Sequence, residues 1–461
     1  MESNTYENYQ KLKQMLIEAD QQVLNTPQPS TLELKASQNF NLLKLDFSLQ
    51  FTTDDMLDYW NIIDSVKNTK LFQVLKLMPK GALHHLHIGG ILTPEDFLSL
   101  LKNDSDVHVN LVENRIYFSP IFKENFIPVK EFLACESNES IILDAMRMTR
   151  EKSVGTPDQR WLNFEQIFIS TSAVFGEKRI WENYLSLGLS QLYEENLQRV
   201  EFRSMIGIGE MTDGDKFITI EEEIANLQKI TDDFSREHPD FSCGLILTAH
   251  KLFPKEKTIN EAKKVFEFHT EKPEFVLGFD IVGEEDKYNP DEEIYASIYQ
   301  LKHETNRDCP MFFHSGEVIS KNAPSLYDVI LLDTQRIGHG IDLIKYPSLI
   351  EIVKNKKITI EVCPISNMVL GYVRDLRSHP ALAYFYNGIQ ISISSDVPGL
   401  FGYKGVTHDW LWICMLWNID LMQIKKIAEN SIDGCTEPVR TRRVWQEKWE
   451  EFITYLADLD I

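Results

Sequence analysis

No run in this chain approaches the roughly 20 consecutive apolar residues that a membrane-spanning helix needs. The stretch from Met1 to Gln22 is polar and acidic, without the apolar centre of a secretory leader. Positive charge is scarce: 47 Lys and Arg stand against 70 Asp and Glu, a formal net charge of −23. That balance repels phosphate backbones and anionic bilayers, so no nucleic acid and no membrane is expected as a partner, whereas a small neutral or cationic molecule fits. Cysteine is sparse as well. Cys135, Cys243, Cys309, Cys363, Cys414 and Cys435 form no CxxC pair, which excludes a thiolate metal site and a dense disulfide scaffold and leaves buried thiols as the expectation. The expected location is the cytoplasm. The alternative is secretion after loss of a leader, in which case the Asn-x-Ser sequences beginning at Asn103 and Asn138 become glycan acceptors.

What is present is enough apolar sequence, 43% of 461 residues, to bury one large core with appendages. Residues 1–77 read as a helical segment, with Tyr9, Leu12, Met15, Leu16 and Val23 at helical spacing and a Pro-containing break over Thr26 to Ser30. From Met78 onward, within 78–461, short β-branched runs alternate with longer helical patterns. The runs are Gly81 to His87, Arg199 to Arg203, Gly244 to Thr248, Phe275 to Val282, Pro310 to His314, Gln335 to His339, Ile358 to Cys363 and Ile389 to Ser395. Such alternation suits either a closed parallel barrel or a doubly wound sheet. His87, Arg203, Gly283, His314, His339, Pro364 and Asp396 stand at the ends of seven different runs. A barrel gathers its site from all strand ends, whereas a doubly wound sheet concentrates it at one switch point. The expected class is therefore α/β, a (β/α)8 TIM barrel with an N-terminal helical extension. The gap between the first two runs is too long for one helix and predicts an inserted subdomain at about 93–163.

The chemistry-bearing residues sit at those ends. His85 and His87, two residues apart on a strand, project to one face and can share an ion, while His84 points the other way and reads as a packed or solvated histidine. His314 closes an apolar run and Glu317 follows three residues later, a ligand and a proton shuttle in reach of each other. His339 lies between glycines and Asp396 ends the eighth run. Three imidazoles and a carboxylate suit one Zn2+ per chain with a position left for water. Zinc lowers the pKa of its water from about 15.7 to about 7, so a nucleophile becomes available at neutral pH. Glu317 could then protonate a ring nitrogen while His339 orients the water, which is hydrolytic deamination of an amino-substituted ring.

Several segments carry a family likeness. The stretch Met78 to His87, Phe313 to Glu317, Arg336 to Gly340, Glu361 to Asn367 and Ser394 to Asp396 resemble the motifs of adenosine deaminases. The resemblance is strongest to the adenosine deaminase-related growth factors, the secreted adenosine deaminase 2 type, and runs over nearly the whole chain. It implies His85, His87, His314 and Asp396 as zinc ligands, Glu317 as the proton shuttle and His339 as the water-orienting base. It further implies that Gly283 offers its backbone N–H to a purine nitrogen, that Trp161 lines the pocket, and that the N-terminal helices form a homodimer. Two departures stand out. Ile88 follows the His pair where the family carries a ribose-holding aspartate, and Val397 follows Asp396 where the family carries an aspartate that bonds the purine N7. Between Leu101 and Asn163 there is only Cys135, so the disulfide of secreted members cannot form there. The expectation is an aminohydrolase of adenosine or a related aminopurine for which adenosine itself is a poor substrate. The alternatives are a nucleoside-binding paralogue without turnover, a deaminase of a pterin-like ring, and a barrel hydrolase with another leaving group.

Overall fold

The computed structural model describes residues 5–460 apart from 25, 27, 113–114, 120, 206–210, 215, 288–292, 306 and 319–322. Eight parallel strands follow one another around a ring: β1 (Ala82–His87), β2 (Arg199–Met205), β3 (Ser242–His250), β4 (Val276–Val282), β5 (His314–Ser315), β6 (Arg336–His339), β7 (Thr359–Val362) and β8 (Ile391–Ile393). The first four pair in chain order, as do the last four. Two bridges join these halves. Phe279 pairs with Met311 ahead of β5, and Leu86 pairs with Asp396 just past β8. At the second seam the Asp396 N–H donates to the His85 carbonyl at 3.0 Å and the His87 N–H to the Asp396 carbonyl at 2.9 Å. The sheet is thereby closed, and with its surrounding helices the fold is the α/β barrel expected from the alternating runs, each of which contains a strand or, at Pro310 to His314, a bridge and a strand start.

The first crossover is long, running from His87 to Arg199. It contains the helix Pro94–Leu101 and a small antiparallel sheet of His108–Val112, Arg115–Ser119 and Ile127–Pro128. The helix Pro157–Phe175 then leads back to the barrel, started by Thr156, whose side chain accepts from the Gln159 N–H while Gln159 answers to the Thr156 N–H. At the N-terminus the break before residue 31 is a helix cap of the same kind. The Ser30 hydroxyl accepts from the Glu33 N–H at 3.2 Å, and Glu33 accepts from the Ser30 N–H at 2.8 Å. The helix Thr31–Gln50 buries Phe40, Leu43 and Phe47 completely, about 1.5 to 3 kcal/mol for each such side chain. The helix before it, Thr5–Leu24, turns Leu12 and Leu16 outward, 52% and 70% exposed.

The barrel interior is unusual in being ionic. Beside the small apolar cluster of Ile246, Leu277 and Phe312, Arg203 and Arg336 are wholly buried among Glu201, Asp280 and Glu361. Arg336 donates to Glu361 at 2.6 Å and reaches Glu201 at 2.7 Å. Buried charge is tolerated only when paired and hydrogen-bonded throughout. Here the chain of pairs ends under the strand tips that carry the histidines.

Candidate active site

All six residues expected to carry the chemistry meet at the C-terminal mouth of the barrel. β1 supplies His85 and His87, β5 His314, β6 His339, the chain just past β8 Asp396, and the turn after β5 Glu317. Gly316 makes that turn with φ of 77°. His339 and Asp396 also adopt left-handed backbone, with φ of 63° and 62°, a conformation that costs a non-glycine residue of order 1 to 3 kcal/mol and gathers at functional sites. It lets a strand end turn sharply and aim its side chain across the barrel mouth.

Two carboxylates behind the ring decide which imidazole nitrogens face inward. His85 donates from Nδ1 to Glu361 at 2.8 Å, and His314 donates from Nδ1 to Asp280 at 2.7 Å. A ring with a single proton therefore carries it on Nδ1, and its Nε2 lone pair is directed at the centre. Arg203 holds both acceptors in place, donating to Asp280 at 2.7 Å and to Glu361 at 2.7 Å. Burial pulls the Asp280 carboxyl upward, but His314 and Arg203 outweigh it and keep it well below the usual carboxylate range. Burial, joined by Arg203 for His85 and by His314 for His87, keeps both imidazoles far below their ordinary value and therefore neutral.

The resulting donor set fits a small cation. His85 Nε2 is buried without a hydrogen-bond partner. His87 Nε2 lies 3.3 Å from His314 Nε2, 3.4 Å from Asp396 Oδ1, and His85 Nε2 lies 3.8 Å from the same oxygen. Ligands about 2.0 to 2.1 Å from a tetrahedral zinc stand about 3.3 to 3.4 Å apart. His85, His314 and His339 also offer one nitrogen each within 4.8 Å of one another, as His85, His87 and Asp396 offer one ligand atom each. Asp396 is oriented by the Ser366 hydroxyl, which donates to Oδ2 at 2.7 Å. Burial raises its carboxyl.

Beside this set Glu317 Oε1 stands 3.4 Å from His339 Nε2. The Glu317 backbone N–H donates to Glu285 at 2.7 Å, which pins the turn. Burial, then the Asp396 carboxylate, pushes the Glu317 carboxyl well above the usual range, so it holds a proton where an ordinary glutamate would not. A cavity of about 480 Å³ opens over these groups, and Trp161, Gly283 and Val397 all line it. Trp161 donates from its indole to Glu165 at 2.8 Å. Gly283, with φ of 110°, leaves room that a side chain would deny, because His250 Nε2 lies 2.7 Å from where a Cβ would stand.

Ile88 is placed otherwise than expected. β1 ends at His87 and the chain turns through Ile88–Gly90, which sends the Ile88 side chain into the core at 2% exposure and leaves Gly89 on the cavity wall. Ile88 is thus a packing residue. His84 is buried against Ser392 at 3.0 Å, on the far side of its strand from the site. Of the cysteines, Cys135 is exposed and Cys243 half-buried, and the other four are buried; all six are free.

The sequence from 227 to 449 matches the family model described as adenosine deaminase. Over nearly its whole length the chain is 27% identical to adenosine deaminase 2 of Dictyostelium discoideum, across 98% of this chain and 88% of that one. Both likenesses are to adenosine deaminases. Adenosine deaminase 2 of Homo sapiens is 28% identical over 85% of this chain and 82% of its own. An amidohydrolase from Burkhoderia ambifaria, solved with bound Zn, shares the fold at a TM-score of 0.62 and 17% identity, over 84% of this chain and 94% of that one. These likenesses support a deaminase. Asp280 and Glu361, which the reading of the sequence passed over as site residues, were visible as single acids inside otherwise apolar runs. Asn367 and His379, described below, carried no such mark.

Proposed function

We propose that the chain is a zinc-dependent aminohydrolase that releases ammonia from an aminopurine or a related amino-substituted ring and that receives adenosine itself poorly. The observation that carries this reading is the convergence of His85, His87, His314 and Asp396, with His87 Nε2 3.3 Å from His314 Nε2 and 3.4 Å from Asp396 Oδ1, and with Glu317 and His339 beside them under one cavity. His85, His87, His314 and Asp396 would hold one Zn2+ per chain, supplying a water acidified to near neutral pH. Bound zinc in the Burkhoderia ambifaria neighbour supports that choice of ion.

The protein's own groups do the rest. Glu317, kept protonated by burial, donates to a ring nitrogen and so makes the adjacent carbon electrophilic. His339 stands 3.4 Å from Glu317, where it orients the attacking water. Gly283 offers its backbone N–H to the ring. Trp161 and its neighbour Phe164, ring centroids 5.4 Å apart, form an apolar wall that excludes water. Val397 presents a further apolar wall, so the ligand edge there lacks a strong acceptor or bears an apolar substituent. Stable dimers through the outward face of Thr5–Leu24 belong to the same reading. Adenosine deaminase 2 in Homo sapiens and Dictyostelium discoideum makes adenosine the first ring to test.

An ammonia-release screen across aminopurines, nucleosides, nucleotides and pterins, run beside elemental analysis, tests the proposal. One zinc per chain with ammonia from at least one ring supports it. Zinc with no turnover on any of them refutes the enzyme and leaves a binding paralogue.

A further inference from the structure

His339 has two ring nitrogens, and its part in the site depends on which one carries the proton. With a lone pair on Nε2 it could join His85 and His314 as a third ligand. With a proton there it can only donate. A chain of hydrogen bonds leading away from the site settles the matter.

The chain starts at a helix end. His379 caps the helix Pro380–Tyr386, and its Nδ1 lies 3.0 Å from the Ala381 backbone N–H. A backbone amide only donates, so His379 Nδ1 accepts and the proton of this ring is on Nε2. That Nε2–H points at Asn367 Oδ1, 3.0 Å away, which fixes the amide orientation: oxygen toward His379, NH2 toward His339. Asn367 Nδ2 then donates to His339 Nδ1 at 3.1 Å. The reversed amide would set its NH2 against the Nε2–H of His379, two donors facing each other. His379, Asn367 and His339 are 2%, 0% and 1% exposed, so water cannot substitute for a member of the chain. Burial lowers His379 to about 3, so protonation does not interrupt it in the working range.

We propose that Asn367 and His379 are positioning residues that hold the proton of His339 on Nε2, making His339 an N–H donor beside Glu317 and removing it from the metal-ligand set. This rests on the reading of Glu317 and His339 as the proton-handling pair of a deaminase. The polarity runs one way from the Ala381 amide to the barrel mouth, and each link is a neutral hydrogen bond between groups that have no other choice of role. Asn367 also sits directly after Ser366, which orients Asp396, so one turn of chain sets both the carboxylate and the histidine.

Neutron diffraction from perdeuterated crystals of the full chain reads the proton positions directly. The expected map has a deuteron on Nε2 of His339 and on Nε2 of His379, and none on either Nδ1. A deuteron on His339 Nδ1 overturns the proposal. The kinetic arm is Asn367→Asp, nearly isosteric but an acceptor toward both rings, which draws the proton of neutral His339 to Nδ1. With the best ring from the ammonia screen, kcat falls about a hundredfold while KM changes little, and the neutron map of the variant shows the moved deuteron. Unchanged kcat in that variant also overturns the proposal. Because the wild-type map needs neither a substrate nor a variant, a variant that does not fold leaves the test intact. A map as expected from a chain that deaminates nothing refutes the deaminase and leaves the proton assignment standing.

Discussion

Replacing Val397 by aspartate tests the altered pocket most directly. Val397 is fully buried, lines the cavity and packs so closely on the turn after β1 that a Cβ at Gly90 would fall 2.4 Å from its own. Aspartate is smaller than valine and unbranched at Cβ, so Val397→Asp adds a carboxyl to the wall without overfilling it. The new group stands next to Asp396, whose carboxyl burial already raises, and near the raised Glu317. A third acid in that setting is driven to hold its proton. A protonated carboxyl is a donor, which is what a ring nitrogen such as purine N7 requires. A ring nitrogen left unpaired against valine costs about 1 to 3 kcal/mol, so supplying the donor gains roughly fivefold to a hundredfold in kcat/KM for adenosine. The free enzyme loses about 1 to 3 kcal/mol of stability from a buried polar group without a partner. The assay is ammonia release from adenosine and from the preferred ring, with thermal unfolding alongside. Adenosine kcat/KM should rise at least about fivefold, activity on the preferred ring should fall, and Tm should drop and recover when purine is bound. A folded, zinc-loaded variant with no gain on adenosine refutes the reasoning, because the ring edge then does not face residue 397. Ile88→Asp, by contrast, places a carboxylate in the apolar core, where it should destabilise the fold without helping any ligand.

Glu317→Gln should keep the metal and still bind the ring, since the amide preserves shape, and lose turnover about a hundredfold or more; ammonia release at the wild-type rate removes Glu317 from the mechanism. Acid should destabilise the chain from pH 6.5 downward. Buried His379 and His408 are each lowered to about 3, so the unfolded chain takes up their protons first, and each costs up to about 1.4 kcal/mol per pH unit below 6.5. Urea midpoints that stay flat between pH 6.5 and 5 contradict this. Leu12→Glu with Leu16→Glu should convert dimers to monomers in sedimentation without loss of fold, because both side chains face outward in the single chain; monomers already in the wild type dismiss the helical interface.

The barrel and the residues at its mouth were legible along the chain, because both rest on local rules. Strand runs of Val and Ile alternate with helical spacing, and a histidine at a strand end announces itself wherever its partners are. His85, His87, His314, His339, Asp396 and Glu317 could be named from such positions alone. Tertiary structure decided which nitrogen each histidine offers, since that depends on Glu361, Asp280 and Asn367, acceptors and donors brought from other strands and turns. It also decided that Ile88 serves the core, because the turn after β1 rotates the side chain away from the cavity, a matter of backbone direction that residue order does not carry. Arg203 shows the same divide. In sequence it is one more polar residue at a strand end, whereas in the closed barrel its guanidinium is held between two carboxylates 81 residues apart in the chain (280 and 361). Pairings of that kind arise only when the sheet closes, and the low dielectric of the interior then makes them obligatory.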